Sequence, residues 1–388
     1  MLQVDVATRI LPAGHKVFIM HPGEGKKFYD TMFATSRVFL DAPGVTFGGL
    51  ISSEDRDLLD RHLISRAVRR WHLTGRPEEA VPSRNPTDYA HHTLTSKRRV
   101  QLQSIMALYN EAQPGDLVVV TGPGYNSKVL IGEIQTPYNL DDTIFVEAYP
   151  NDPIPIRQVK WLSTNRPKGS FSTRMIEYMI YQKAIIRPRE LPILFELYRE
   201  VYKDFILPDY SEGRIEVTKE HIDLLKFSQS SQAIIYAAAL YRAAELGAVE
   251  AAADLPVSEA INQYYSDQQL IDTGISINSP GFIALKAREL ALPLYIGVLL
   301  ALGAAGVTLD EARAAELVNS ESGQPVQCEI EMEERFRGTL NGMSYEAWRK
   351  WCIMAQSAAN GIGLRAHPKV RPKPRPVLRT LKEGPTDE

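Results

Sequence analysis

At 388 residues, with a formal net charge of −3, 44% hydrophobic and 23% charged residues, the chain has room for two globular domains, and its composition excludes a disordered, fibrous or uniformly basic protein. Its two cysteines, Cys328 and Cys352, come without CxxC or Cys/His ligand spacing. That argues against a disulfide framework or a structural zinc and fits a reducing cytoplasm. The opening MLQVDVATRILPAGHK lacks the charged and then apolar run of a secretory signal, so export is not expected.

In chain order, His15 to Met20 reads as a strand stopped by the Pro22-Gly23-Glu24-Gly25 turn. Lys26 to Thr35 follows as a short helix and Arg37 to Gly44 as a second strand. Ser53 opens a stronger helix, with acids in its first turn and Leu58, Leu59, His62, Leu63 and Val68 at helical spacing. Thr74 to Asp88, interrupted by three prolines, reads as an exposed loop, and Ser96 to Glu111 as another helix. Pro114-Gly115-Asp116 then delivers the run Leu117 to Val120, a strand predicted to be buried on both faces. Gly122-Pro123-Gly124 turns it back into Lys128 to Ile134, with further strands at Thr143 to Ala148 and Ile156 to Leu162. Short strands at hairpin spacing with early helices predict a small barrel or strongly curved sheet over residues 1–165.

Arg166 to Thr173 reads as a polar linker, and residues 174–364 as a helix-rich α+β domain. Within it, helices are predicted at Arg174 to Ala184, Leu191 to Phe205 and Lys219 to Leu246, the last with Thr218 as N-cap. Arg214 to Val217 reads as a strand, and a strand pair surrounds the turn Asn278-Ser279-Pro280-Gly281. Cys328 to Phe336 is left open between strand and helix, and Ser344 to Ala359 is a closing helix. Leu290 to Val307 carries no charge and lies at the lower edge of a membrane-spanning length, but its three glycines and Pro293 favour a buried core helix. A membrane partner is therefore not expected; an effector acting at a membrane through this segment is the alternative. Residues 366–388, basic and Pro-rich, are predicted to form an extended, mobile tail.

The first domain resembles the PUA/EVE-like domain at the N-terminus of Mrr-type restriction endonucleases and related prokaryotic defence proteins. The resemblance rests on VFIMHPGEGKKFYDTMFATSRVFLDAPGV, QPGDLVVVTGPGYNSKVLIGEI and the closing RQVKWL. Asp41-Ala42-Pro43 stands where an aromatic commonly follows the second strand. The resemblance implies a concave pocket for a base swung out of a nucleic acid, held by stacking and by hydrogen bonds to its edge. The stacking candidates are Phe28, Phe39, Tyr125, Tyr138 and Trp161, Tyr125 foremost because it lies in a hairpin loop. The polar readers are His21, Lys26, Asp41 and Asn126. Arg66, Arg69, Arg70, Arg76, Arg84, Lys97, Arg98 and Arg99 form a basic cluster suited to phosphates, DNA being favoured over RNA.

The function expected is therefore recognition of nucleic acid, with modified bases among the ligands, in defence against foreign DNA. The second domain is expected to couple that recognition to a protein partner or to self-association. No cofactor, metal or catalytic residue is expected: there is no Walker loop, HExxH or GxSxG, and His91-His92 lacks a third ligand nearby. A divergent magnesium-dependent nuclease built on Asp209, Glu216 and Lys219 is a further alternative, with one residue too many between Glu216 and Lys219.

Overall fold

The computed structural model describes residues 2–47, 56–75, 80–181, 183–276, 281–321 and 327–372. The fold is mixed α+β with a curled half-barrel sheet. The chain divides into two compact units, one of Gly14–Val201 and one of Met1–Ala13 with Tyr202–Glu388.

The first unit is built on a six-stranded sheet in the order Ile185–Ile186, Val17–Met20, Leu117–Thr121, Val129–Ile134, Arg157–Ser163, Arg37–Val38. Val17–Met20 and Leu117–Thr121 run parallel at its centre and are buried at every residue, as their unbroken apolar sequence requires. Asp116 fixes their start: its carboxylate accepts from the amides of Lys16 (2.8 Å) and Gln113 (2.9 Å). Helices Tyr29–Thr35, Arg56–Thr74 and Ser96–Met106 belong to this unit, the last running into a π-helical turn at Ala107–Glu111. Leu58, Leu59, Leu63, Leu102 and Ile105 from the two longer helices join Phe18, Met20, Val118 and Val120 in one core. A separate hairpin pairs Thr143–Val146 with Tyr149–Pro155, a strand not expected from a segment holding three prolines.

The polar stretch expected to link two domains belongs to this unit. Arg166 pairs with Glu200 (3.0 Å) and Glu196 (3.4 Å), and Glu196 also accepts from the Ser172 amide (2.8 Å) and hydroxyl (2.6 Å). Ile185–Ile186 then returns to pair with Ile19 and Met20, which carries the boundary to residue 201.

In the second unit Leu2–Asp5 lies between Glu316–Val318 and Lys369–Pro372. A second sheet runs Leu270–Ser276, Gly281–Ala287, Ser211–Val217, Phe205–Ile206, Arg9–Ile10, with Leu364–Ala366 also paired to Ser211–Val217. The segment expected to open the tail thus supplies the strand Lys369–Pro372 and the last residue of Leu364–Ala366; residues 373–388 lie outside the described residues. The apolar stretch at 290–307 forms the helix Leu292–Ala305, buried along nearly its whole length in the core shared with helices Leu224–Glu245, Gln327–Gly342 and Tyr345–Ile362. Among the described residues no helix is long and apolar enough to cross a membrane. Asp223, not Thr218, caps the 224–245 helix, accepting from the Lys226 amide (3.0 Å); the Thr218 hydroxyl donates to the Gly363 carbonyl (3.1 Å). Cys328 to Phe336 is helical, within Gln327–Gly342. The turn expected at 278–280 and the helix start at Ser53 lie outside the described residues.

Candidate nucleotide-binding cleft

The Gly14–Val201 unit carries an open cleft of roughly 740 Å³ beside the end of its two central strands, lined by residues that include His21, Lys26, Asp41, Arg69, Lys168 and Lys183. Its first wall is the Pro22–Lys26 turn. Gly23 has φ +77° there, and a Cβ on it would come within 2.8 Å of the Phe28 ring, so a side chain has neither the conformation nor the space. Lys26 itself adopts φ +61°, unusual for a residue with a side chain. Its Nζ donates to Thr121 Oγ1 (2.7 Å) and to the Gly122 carbonyl (2.8 Å), which ties the turn to the end of the Leu117–Thr121 strand.

The opposite wall comes from the supposed linker. The Lys168 amide donates to the Ser127 carbonyl (2.8 Å) and the Gly169 amide to the Tyr125 carbonyl (3.0 Å), so the 168–170 turn is zipped to the hairpin loop. Gly169 lies under the Tyr125 ring, where an added Cβ would meet ring carbons at 2.2 Å. This seating leaves Lys168 only 5% exposed, lining the cleft, with no hydrogen bond or ion pair from its ammonium group among the described residues. Its pKa is lowered by burial.

The charges do not balance. Four cations line the cleft, Lys26, Arg69, Lys168 and Lys183, against two carboxylates, Glu24 and Asp41. Both carboxylates are already engaged: Arg69 pairs with Glu24 at 2.7 Å and with Asp41 at 3.0 Å, and Asp41 also takes Lys27 (3.2 Å) and the Tyr149 hydroxyl (2.7 Å). Lys26 and Lys168 have no carboxylate partner, and Lys183 meets only the Tyr181 ring among the described residues. Burial, reinforced by the charge of Lys168, brings Lys26 down to about 8. Burial, with Lys26 and Lys168 adding to it, brings His21 down to about 4, so its ring is neutral near pH 7. His21 Nε2 is buried without a hydrogen-bond partner.

A contiguous recess of about 330 Å³ shares Leu40, Asp41, Arg69, Lys183 and Ala184 with the cleft and extends between the Arg56–Thr74 and Ser96–Met106 helices. His62, bonded to Gln101 (3.0 Å), joins those helices, and burial lowers it to about 4. Arg66 stands at the edge of this recess.

Of the residues expected to form the pocket, His21, Lys26 and Asp41 line the cleft. The stacking rings do not. Phe28 (3% exposed) and Phe39 (0%) pack on one another, centroids 5.3 Å apart, because the side of the sheet they face is the unit's core. Tyr138 closes that core from the edge, its hydroxyl accepting from the Phe47 amide (3.2 Å) and its ring 5.1 Å from that of Tyr109. Trp161 covers Gly132 and donates to the Phe33 carbonyl (3.3 Å). Tyr125 alone of the five is well exposed, at 62%, two residues past Pro123 on the cleft wall, and Asn126 beside it is exposed too.

The basic cluster divides in the same way. Arg69 and Arg84 are held in ion pairs, Arg84 with Asp152, and Arg98 donates to the Thr93 carbonyl. Arg66, Arg70, Lys97 and Arg99 are exposed, and Arg76 lies outside the described residues. Lys168 and Lys183 were not picked out from the sequence; a Pro-Lys-Gly turn in a polar stretch carries no signal that its lysine is buried.

The nuclease alternative is not assembled. Glu216 pairs with Lys203 (2.7 Å), Lys219 donates to the Asn360 carbonyl, and Asp209 sits in an exposed turn. Among the described residues no group of three or more His, Cys, Asp or Glu side chains is placed to hold a metal ion. No family model, curated protein or solved structure matches the chain.

Proposed function

We propose that the Gly14–Val201 unit is a nucleic-acid recognition module in which one nucleotide enters the cleft between the Pro22–Lys26 and Lys168–Ser170 turns. The observation that carries this reading is the excess of cations there, above all a buried Lys168 with no partner. A mostly buried lysine without a counter-charge among the described residues is a place where an anionic ligand gains an ion pair at little desolvation cost of its own making. The cleft is of ordinary size for a small-molecule or nucleotide site, about 300 to 1,000 Å³ in general. Exposed Arg66, Arg70, Lys97 and Arg99 lie on the helices that border it, where a strand backbone has positive charge to follow. The PUA/EVE-like resemblance points the same way and supplies the wider reading, a component of prokaryotic defence that senses foreign or modified DNA.

Fluorescence anisotropy with single- and double-stranded oligonucleotides over a range of salt tests the proposal. Binding should weaken with salt, and Arg66→Ala/Arg70→Ala/Lys97→Ala together should lower the log–log salt slope for duplex by about 3, roughly 0.9 per lost phosphate contact. Binding that is absent, or that ignores salt and these substitutions, overturns it.

A further inference from the structure

The cations of the cleft differ from those of the helices in one respect that bears on what enters. Arg66, Arg70 and Lys97 are spread along two helix surfaces and open to solvent. Half-buried Lys26, Lys168 at 5% exposure and exposed Lys183 instead line one hollow. A phosphodiester inside a strand carries one negative charge and two bulky substituents, and so meets exposed side chains more readily than buried ones. A phosphomonoester carries up to two charges, has three terminal oxygens and is substituted on one side only, so it can be pushed into a recess charge first.

We infer that the recess between Lys26, Lys168 and Lys183 is a site for a phosphomonoester, the terminal phosphate of a nucleic-acid strand or of a free nucleotide. The inference rests on the nucleotide reading of the same cleft and narrows it from a base to a phosphate group. Three features of the site favour this ligand. Lys168 spends none of its three N–H donors on the described residues. Lys26 has two of its own fixed by Thr121 and Gly122, which holds the ammonium in place and leaves one donor. The acids that would repel an anion are neutralised by Arg69 and Lys27. Tyr125, its ring seated on Gly169, stands next in sequence to the loop residues that meet the Lys168 turn, within reach of a base attached to that phosphate.

The test compares one oligonucleotide in three forms, 5′-phosphorylated, 3′-phosphorylated and with both ends free, on the wild-type chain and on Lys168→Met and Lys168→Arg. Met keeps the length of the side chain and removes an uncompensated buried charge, so the variant should fold at least as stably as wild type. A phosphorylated form should bind at least about tenfold more tightly than the unphosphorylated one, the size of effect that charge-assisted hydrogen bonds supply. Lys168→Met should abolish that preference, weakening the phosphorylated form much more than the unphosphorylated one, while Lys168→Arg should retain part of it. Nucleoside monophosphate and inorganic phosphate are titrated separately, with thermal stability as readout. If all three oligonucleotides bind alike and Lys168→Met weakens all three equally, the phosphate site falls and the nucleic-acid reading stands. If no oligonucleotide binds but nucleoside monophosphate stabilises wild type and not Lys168→Met, the phosphate site stands and the nucleic-acid reading falls. Stabilisation by phosphate that is equal in both proteins overturns the site.

Discussion

Each unit holds a buried charge that is used differently, Asp204 in the second and Lys168 in the first. In the second, buried acids are spent on the chain's own connections. Asp204, 6% exposed, accepts from the Arg214 amide (2.7 Å) and faces His367 Nδ1 (3.1 Å), joining the start of one strand pair to the chain just past Leu364–Ala366. Glu329 accepts from Asn319 (2.6 Å), whose side chain also receives the Thr8 amide (3.0 Å) and donates to the Thr8 carbonyl (2.9 Å). In the first unit the Lys168 side chain, as little exposed as Asp204, makes no hydrogen bond or ion pair among the described residues. A buried polar group that completes a circuit explains the fold; one left open, on the wall of a cleft, points outward to a ligand.

The largest expected effect breaks the circuit in the second unit. Asp204→Ala strands the Arg214 amide and the His367 ring together and should cost about 2 kcal/mol, the scale for leaving buried hydrogen-bonding groups unsatisfied. Urea unfolding should show it, with early hydrogen exchange at Leu364–Ala366. Lys168→Met, at equal burial, should move stability the other way, by about 1 kcal/mol, because it removes a desolvation penalty and no partner. Destabilisation by both to a similar degree would erase the distinction between the units.

Tyr125 sharpens the comparison within the first unit, since it is the one expected stacking residue left exposed. Tyr125→Ala should weaken single-stranded binding by about 1 kcal/mol, the lower end for loss of a base stacked on an aromatic ring, with little change in stability. Trp161→Ala should do the reverse, loosening the sheet edge at Gly132 with unchanged affinity per folded molecule.

How much of this was legible beforehand follows the range of the interactions. Local pattern revealed the strands at 17–20 and 117–121, the helices that pack on them and the buried helix at 292–305, because apolar spacing and Pro/Gly turns are written in neighbouring residues. The boundary at 201 depends on Ile185–Ile186 finding Ile19 and Met20 across more than half the unit, and Leu2–Asp5 depends on partners at 316–318 and 369–372. Neither leaves a local trace. The site was legible on the side fixed by the PGEG turn, which supplied His21 and Lys26, and illegible on the side where Arg166 and Ser172 anchor to Glu196 and Glu200. The rings failed for a physical reason: Phe28 and Phe39 share a face of the sheet that only the tertiary fold identifies as core.

The remaining effect is in pH, and it tests whether the cleft is what its charges imply. His21 titrates near 4 in the folded chain against 6.5 for an ordinary histidine, and burial shifts His62 in the same direction to about 4. Between those two values the unfolded chain binds protons that the folded chain does not, so stability falls as pH drops from about 6.5 toward 4. His21→Gln should make that decline shallower, roughly by half if the two histidines contribute equally. Glu24, Asp41, Arg69, Lys26, Lys168 and Lys183 are the charged groups around the cleft, and a bound anion would add its charge to theirs. An anion seated beside Lys168 favours the protonated imidazole, so a phosphorylated ligand should raise the His21 pKa above 4 in wild type and have less effect in Lys168→Met. Proton NMR of the His21 ring reads this directly. A pKa that stays put while ligand saturates the protein would mean that binding occurs elsewhere on the unit, whatever its affinity.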